Sequence, residues 1–380
     1  MGIIIRNEIL PGHESKIEVL KLCSNLIERV EDEAFDKFAS LKILDLESNR
    51  LTLISDKILT QKLGLSLMKL NLASNDLHNL SITVFQHLTK LESLNLRFNE
   101  RINLVSEING KNVSIFPEAL SNLKTLNLES CNIQNFDENV FINLRSLKKL
   151  DISQNPITTV PKALKKLPNL EYLKIMFSEI ATINDCDFCG LLNLKTLHLK
   201  SSYHLSYINE NAFGAFTNKS TVPQLKEFSL NTGRLSILPE KLLNWKNISR
   251  IDIFGTSFTC NCSMAWLIND YNSSNPLVVV NLIDEWNHSY KNELECNSPR
   301  ALAGKRLFKL TADDFCRINL DDTKNKDVTT LKPENLQLIL FILSIIFISV
   351  LFTCIGIYYY RNRKIMHIRE KCEAKEEDLL

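Results

Sequence analysis

The chain has almost no charge imbalance: 45 Lys and Arg stand against 44 Asp and Glu in 380 residues, leaving +1. No global field therefore draws it to nucleic acid or to an acidic membrane, and recognition has to come from local surface. Its seven histidines are scattered, and neither an H-E-x-x-H helix motif nor a G-x-S-x-G nucleophile turn occurs. No enzyme and no cofactor are expected. Cys186 and Cys189 form a single C-x-x-C, but zinc needs four ligands and no second pair stands at ligand spacing. Nothing around it reads as a thioredoxin-like βαβ unit, so a local disulfide or two free thiols is expected there. The first apolar run, Ile3 to Ile5, ends at Arg6 and is too short for the core of a signal peptide.

What the chain does have is a repeat. From Leu147 to Val160 the sequence is LKKLDISQNPITTV, with apolar residues at Leu147, Leu150, Ile152 and Ile157 and Asn155 between the last two. This resembles the leucine-rich-repeat frame L-x-x-L-x-L-x-x-N-x-L, a short strand followed by a sharp turn that the Asn closes. One copy cannot bury its own apolar face, so neighbouring copies must stack on it. Copies start at Ile17, Leu41, Leu67, Leu91, Leu123, Leu147, Leu170, Leu194, Leu225 and Ile248, mostly about 23 to 26 residues apart. The resemblance implies an α/β solenoid, a leucine-rich-repeat horseshoe with a parallel concave sheet, over residues 17–257.

Within the frame, pairs such as Leu44 and Leu46, Leu70 and Leu72, and Leu126 and Leu128 point inward, and Phe35, Phe85, Phe141 and Phe188 recur as a convex spine. Asn25, Asn49, Asn75, Asn99 and Asn155 form a ladder whose amides satisfy turn groups between layers. Cys131, Ser178, Ser202, Gly233 and Thr256 replace Asn in other repeats, with weaker donors or none. Two repeats are long, and their extra residues, around 99–116 and 203–222, must bulge outward, as binding loops or as tolerated insertions. Residues 1–16 carry no cysteine-rich cap, although an end repeat needs a cover. An incomplete N-terminal segment and a chain inserted through a C-terminal anchor are both open.

A partner would meet the outward strand positions, which alternate with the core positions. Most are polar, as at Asp45, Glu47, Asn71, Asn95, Arg97, Glu129 and Asp151. Tyr172, Met176 and Phe177 break the pattern, with Phe98 and Phe254 further off. Aromatics beside charge are typical of contact hot spots. The candidate ligand residues are Phe98, Tyr172, Lys174, Met176, Phe177, His198 and Lys200; an aromatic edge covered by a loop or glycan is the alternative. Arg145, Lys148, Lys149, Lys162, Lys165 and Lys166 cluster around one repeat and read first as a solvated face.

After the repeats comes Phe258-Thr-Cys260-Asn-Cys262-Ser-Met-Ala-Trp266-Leu267, then Cys296-Asn-Ser-Pro299 and Phe315-Cys316. Four cysteines alone allow three pairings. These motifs resemble the C-terminal flanking cap of extracellular leucine-rich-repeat proteins, here residues 258–316, except that Ser257 replaces the usual proline. That family's crossed pairing implies Cys260–Cys296 and Cys262–Cys316. Residues 317–335 read as a polar stem. Residues 336–360 are long and apolar enough to cross a bilayer core of about 30 Å and hold only Gln337 as a strongly polar side chain. Arg361, Arg363 and Lys364 follow, which places the tail, 361–380, in the cytoplasm by the positive-inside rule and the repeats outside. Sequons at Asn79, Asn112, Asn218, Asn272 and Asn287 are the glycosylation candidates, with Asn247 and Asn261 less well placed.

Repeats, cap and single span together resemble Toll and Toll-like receptor ectodomains. Adhesion and neuronal leucine-rich-repeat proteins share these parts, and the 20-residue tail is far too short for a Toll receptor's signalling (TIR) domain. The resemblance implies a plasma-membrane receptor that binds a protein ligand or co-receptor, with homo- or heterodimers open to it. An adhesion or structural scaffold without signalling is the alternative.

Overall fold

The structure is a computed structural model that describes residues 3–6, 11–215, 222–231, 234–283, 288–289 and 293–321. The span at 336–360, the tail, Gly233, Asn218 and Asn287 lie outside the described residues. Residues 1–319 form one compact unit, built as a parallel solenoid.

Ten strands, one per repeat, pair in chain order from Val19–Lys21 to Arg250–Asp252. Every step is parallel and in register: Leu126 faces Leu150, Leu150 faces Leu173, and Leu173 faces Leu197. The middle residue of each strand points inward, and from Leu20 to Ile251 none is more than 6% exposed. A one-residue slip would turn each of these side chains to water, so the leucine frame holds the register along the whole sheet.

The back of each coil departs from the expected α/β character. Regular α-helix is confined among the described residues to Gln61–Gly64, Ala265–Tyr271 and Ala312–Asp321. The remaining backs are turns and single 3-10 turns such as Glu118–Asn122, Lys162–Lys166 and Glu240–Leu242, each preceded by a proline. A repeat of about 24 residues leaves too little chain behind a strand and two turns for a helix of several turns. Proline at the cap position sets φ for one tight turn. Short parallel pairs complete the backs, Ile3–Ile5 with Ile27–Val30 and Thr182–Ile183 with Tyr207–Ile208. Gly64 is required where it stands, because a Cβ there would lie 1.9 Å from the His87 carbonyl oxygen of the next coil.

The phenylalanine spine is present and longer than its frame positions suggested. Phe35, Phe85, Phe141 and Phe188 are buried, and Phe116 from the long fourth repeat stands between Phe85 and Phe141 at 6.5 and 6.3 Å. Phe213 stacks on Phe188 at 5.0 Å. The rest of that long repeat leaves the solenoid as an antiparallel hairpin, Val105–Ile108 with Lys111–Ser114.

Beside the strands runs the amide ladder. Asn49, Asn75, Asn99 and Asn155 each donate to carbonyls of their own turn and of the preceding repeat, as Asn99 does to Leu72 O (3.0 Å) and Leu96 O (2.9 Å). Asn25 is exposed and bonds only within its own turn. Cys131 takes over with its thiol, donating to Leu96 O at 3.3 Å, and burial pushes its pKa up to about 12. Ser178 and Ser202 pair with each other at 3.2 Å.

Candidate ligand-binding surface

The first seven strands end in the same manoeuvre. The residue just before the ladder position adopts a left-handed backbone, so that its N–H turns toward the next repeat and extends the hydrogen bonding beyond the strand. Ser48 donates to Ala73 O (2.9 Å), Ser74 to Arg97 O (2.8 Å) and Gln154 to Met176 O (2.8 Å). Ser24, Ser48, Ser74, Ser130 and Ser201 hold this position with φ between 53° and 57°. In the fourth and seventh repeats it is held by Phe98 (φ 57°) and Phe177 (φ 53°), whose N–H groups donate to Glu129 O and Lys200 O. A bulky side chain in this region costs about 1–2 kcal/mol. Both rings stay in solvent, 36% and 49% exposed.

Of the sequence-predicted residues, Tyr172, Lys174, His198 and Lys200 share one stretch of the strand face, with Met176 and Phe177 at its rim. Phe98 lies three strands away. Tyr172 meets His198 edge to face at 5.4 Å, and His198 Nδ1 is 2.5 Å from Ser229 Oγ. Burial holds the Tyr172 phenol above its usual pKa, with Asp151 and Glu227 adding to the effect. Both lysines are engaged: Lys174 lies 3.6 Å from Asp151, and Lys200 lies 2.7 Å from Asp252 with both side chains largely buried. Sequence reading missed Asp252, Ser229 and Glu227, although reading across neighbouring repeats would have aligned them with these lysines and His198.

Burial, helped by Lys174, Lys200 and Arg250 and opposed by Glu227, lowers the His198 pKa below 6.5. A lowered imidazole pKa means that the unfolded chain binds the proton more readily. The stabilisation is therefore complete above about pH 6.5 and is lost as pH falls toward the folded value. Urea midpoints at pH 7.5 and 5.5 should differ less in His198→Gln than in the parent; equal differences in the two proteins would refute this.

Toward the N-terminal end, Arg97 reaches over a repeat to Glu47 at 2.7 Å while its guanidinium lies 5.3 Å from the Phe98 ring centre. Hydrogen bonds from Arg97 and then Asn71 hold the Glu47 carboxyl below its ordinary pKa. At the strand starts, hydrogen bonds from Lys195 and then Lys148 hold the partly exposed Glu171 carboxyl down at about 2. Glu129 differs. Its carboxylate accepts from the Gln154 side chain at 2.5 Å, and no Lys, Arg or His among the described residues pairs with it.

Beyond the last strand the cap bridges are Cys260–Cys296 and Cys262–Cys316, the pairing that the family resemblance implied. Leu267, on the helix Ala265–Tyr271, is buried, while Trp266 stacks on Trp245 at 5.7 Å and donates to Leu238 O. Cys186 and Cys189 form a local disulfide. Leucine-rich-repeat models match residues 15–61 and 121–180, and a BspA-type leucine-rich-repeat region of six copies matches 161–259.

The chain carries leucine-rich repeats over residues 15–61 and 121–259.

Among curated proteins it is 28% identical over 252 residues to transforming growth factor beta activator LRRC33 of Danio rerio, covering 65% of this chain and 35% of that one. Tsukushi of Gallus gallus is 27% identical over 230 residues, covering 56% and 61%. Toll-like receptor 2 type-1 of Gallus gallus is 22% identical over 252 residues, covering 63% and 30%. The matches thus take in about a third to three fifths of those relatives' lengths. Among the described residues, no helix is long and apolar enough to cross a membrane.

Proposed function

We propose that this chain is a single-pass cell-surface receptor whose strand face binds a protein ligand or co-receptor. The observation that carries this reading is the strand face itself. Aromatic and thioether side chains at Tyr172, Met176 and Phe177 reach its surface, while the lysines among them are already neutralised by Asp151 and Asp252. A surface with paired charges and open apolar groups favours another protein over a free anion. Relatives named as an activator and as a Toll-like receptor agree with a ligand-binding role. The described sequon asparagines Asn79, Asn112 and Asn272 are exposed, and none lies on the ten strands, so glycans attached there would start away from this face.

The anchor is residues 336–360, followed at once by Arg361, Arg363 and Lys364. Topology is the first thing to measure. An epitope tag in the hairpin turn at Asn109–Gly110 should stain on intact cells expressing the full chain, and a C-terminal tag only after permeabilisation. Staining of the hairpin tag only after permeabilisation would overturn the receptor reading. Cross-linking the stained chains should give a downstream response, whereas clustering with no response would mark an adhesion scaffold.

A further inference from the structure

Two aromatic rings occupy a backbone position that disfavours them, and burial does not compensate. At this position five other described repeats carry serine, which satisfies the same left-handed turn with no apolar surface in water. Phe98 and Phe177 are instead exposed at the rim of the strand face, at the same frame position, three strands apart. Neighbouring strands lie about 4.8 Å apart, so the two backbone positions are separated by about 14–15 Å. Between them stands Glu129, a carboxylate with no cationic partner among the described residues. Arg97, its neighbour one strand earlier, is turned the other way, onto Glu47.

From this arrangement we infer that Phe98, Glu129 and Phe177 form a three-point dock for an extended, basic segment of a partner protein. An extended chain advances about 3.3 Å per residue and shows alternate side chains on one face. Four residues therefore cover about 13 Å, close to the separation of the rings. A segment crossing the strands would place one apolar side chain on each ring; the side chain between them on the same face stands about 6.6 Å along, and a Lys or Arg there reaches Glu129, which lies one strand, about 4.8 Å, from Phe98 and two strands from Phe177. The partner's motif is apolar–x–Lys/Arg–x–apolar. Gln154, already bound to Glu129, holds the carboxylate in place, and Arg97 lies against the Phe98 ring. The inference rests on the receptor reading above and adds the chemistry of the partner.

The test uses the purified full chain and labelled nonapeptides with two leucines four residues apart and lysine, glutamate or serine midway, read by fluorescence polarisation. The lysine peptide should bind saturably and the glutamate peptide at least about tenfold more weakly. The double variant Phe98→Ser/Phe177→Ser installs the residue that other repeats use, so it should fold at least as stably while losing about tenfold or more in affinity for the lysine peptide. Glu129→Lys should reverse the preference between lysine and glutamate peptides. Equal affinity for both peptides, unchanged binding by the double serine variant, or no saturable binding of the lysine peptide up to about millimolar concentration would each overturn the dock. If binding is lost in Tyr172→Ala/Met176→Ser and kept in Phe98→Ser/Phe177→Ser, the dock is overturned and the strand-face reading stands. The topology experiment overturns that reading independently of any peptide result.

Discussion

Replacing Asn155 with alanine should cost about 3–5 kcal/mol in urea unfolding. Its side-chain oxygen accepts from the N–H groups of Cys131 (3.0 Å) and Ile133 (2.9 Å), and its amide donates to Leu128 O (2.8 Å), Ile152 O (3.0 Å) and Ser153 O (3.1 Å). The residue is 1% exposed. Alanine therefore leaves backbone donors and acceptors of two repeats without partners and without water, and a buried group left unpaired costs more than a made bond contributes. Asn25→Ala is the control. That amide reaches only Leu22 O and Cys23 O and is exposed, so its loss should cost less than about 1 kcal/mol. Equal losses at the two positions would refute the interlocking role given to the ladder.

The second large effect lies at the other end of the stack. Opening the cap by Cys260→Ser with Cys296→Ser, or by Cys262→Ser with Cys316→Ser, should cost about 4 kcal/mol in either case. These bridges close loops with sequence separations of 36 and 54. The helix they hold carries Leu267 onto the last coil and Trp266 onto Trp245, so tryptophan fluorescence should shift to the red together with the loss in stability. Cys186→Ser with Cys189→Ser removes a bridge of separation 3 and should cost less than half as much. A cap variant as stable as the parent would show that the last layer covers itself without its bridges.

Much of this architecture was legible because the repeat makes it redundant. Strand positions follow from leucine spacing, since any slip exposes every inward side chain at once, and Asn155 marks its own turn. The cap pairing came from family resemblance, as four cysteines alone leave three solutions. Less legible were the backs of the coils, where the frame name suggested helices and proline-led 3-10 turns such as Pro161 with Lys162–Lys166 formed instead. Charge pairing was hidden for a different reason. Lys200 finds Asp252, and Arg97 finds Glu47 across an intervening strand, contacts between repeats that no local pattern records. Phe98 and Phe177 could be placed in the frame from sequence, but their left-handed backbone could not. It arises from the hydrogen bond that each of the first seven strand ends makes to the next repeat.

Cys131 stands for asparagine in the middle of the stack, 1% exposed, its thiol given to Leu96 O. A sulfur so enclosed and so reluctant to ionise is a poor nucleophile toward any passing disulfide. The coil thus keeps an unpaired cysteine that folding itself withdraws from thiol exchange, and the six bridged cysteines can find their partners without a competitor from the core once the central layers have closed. Cys23, at the first strand's rim and only partly covered, has no such shelter.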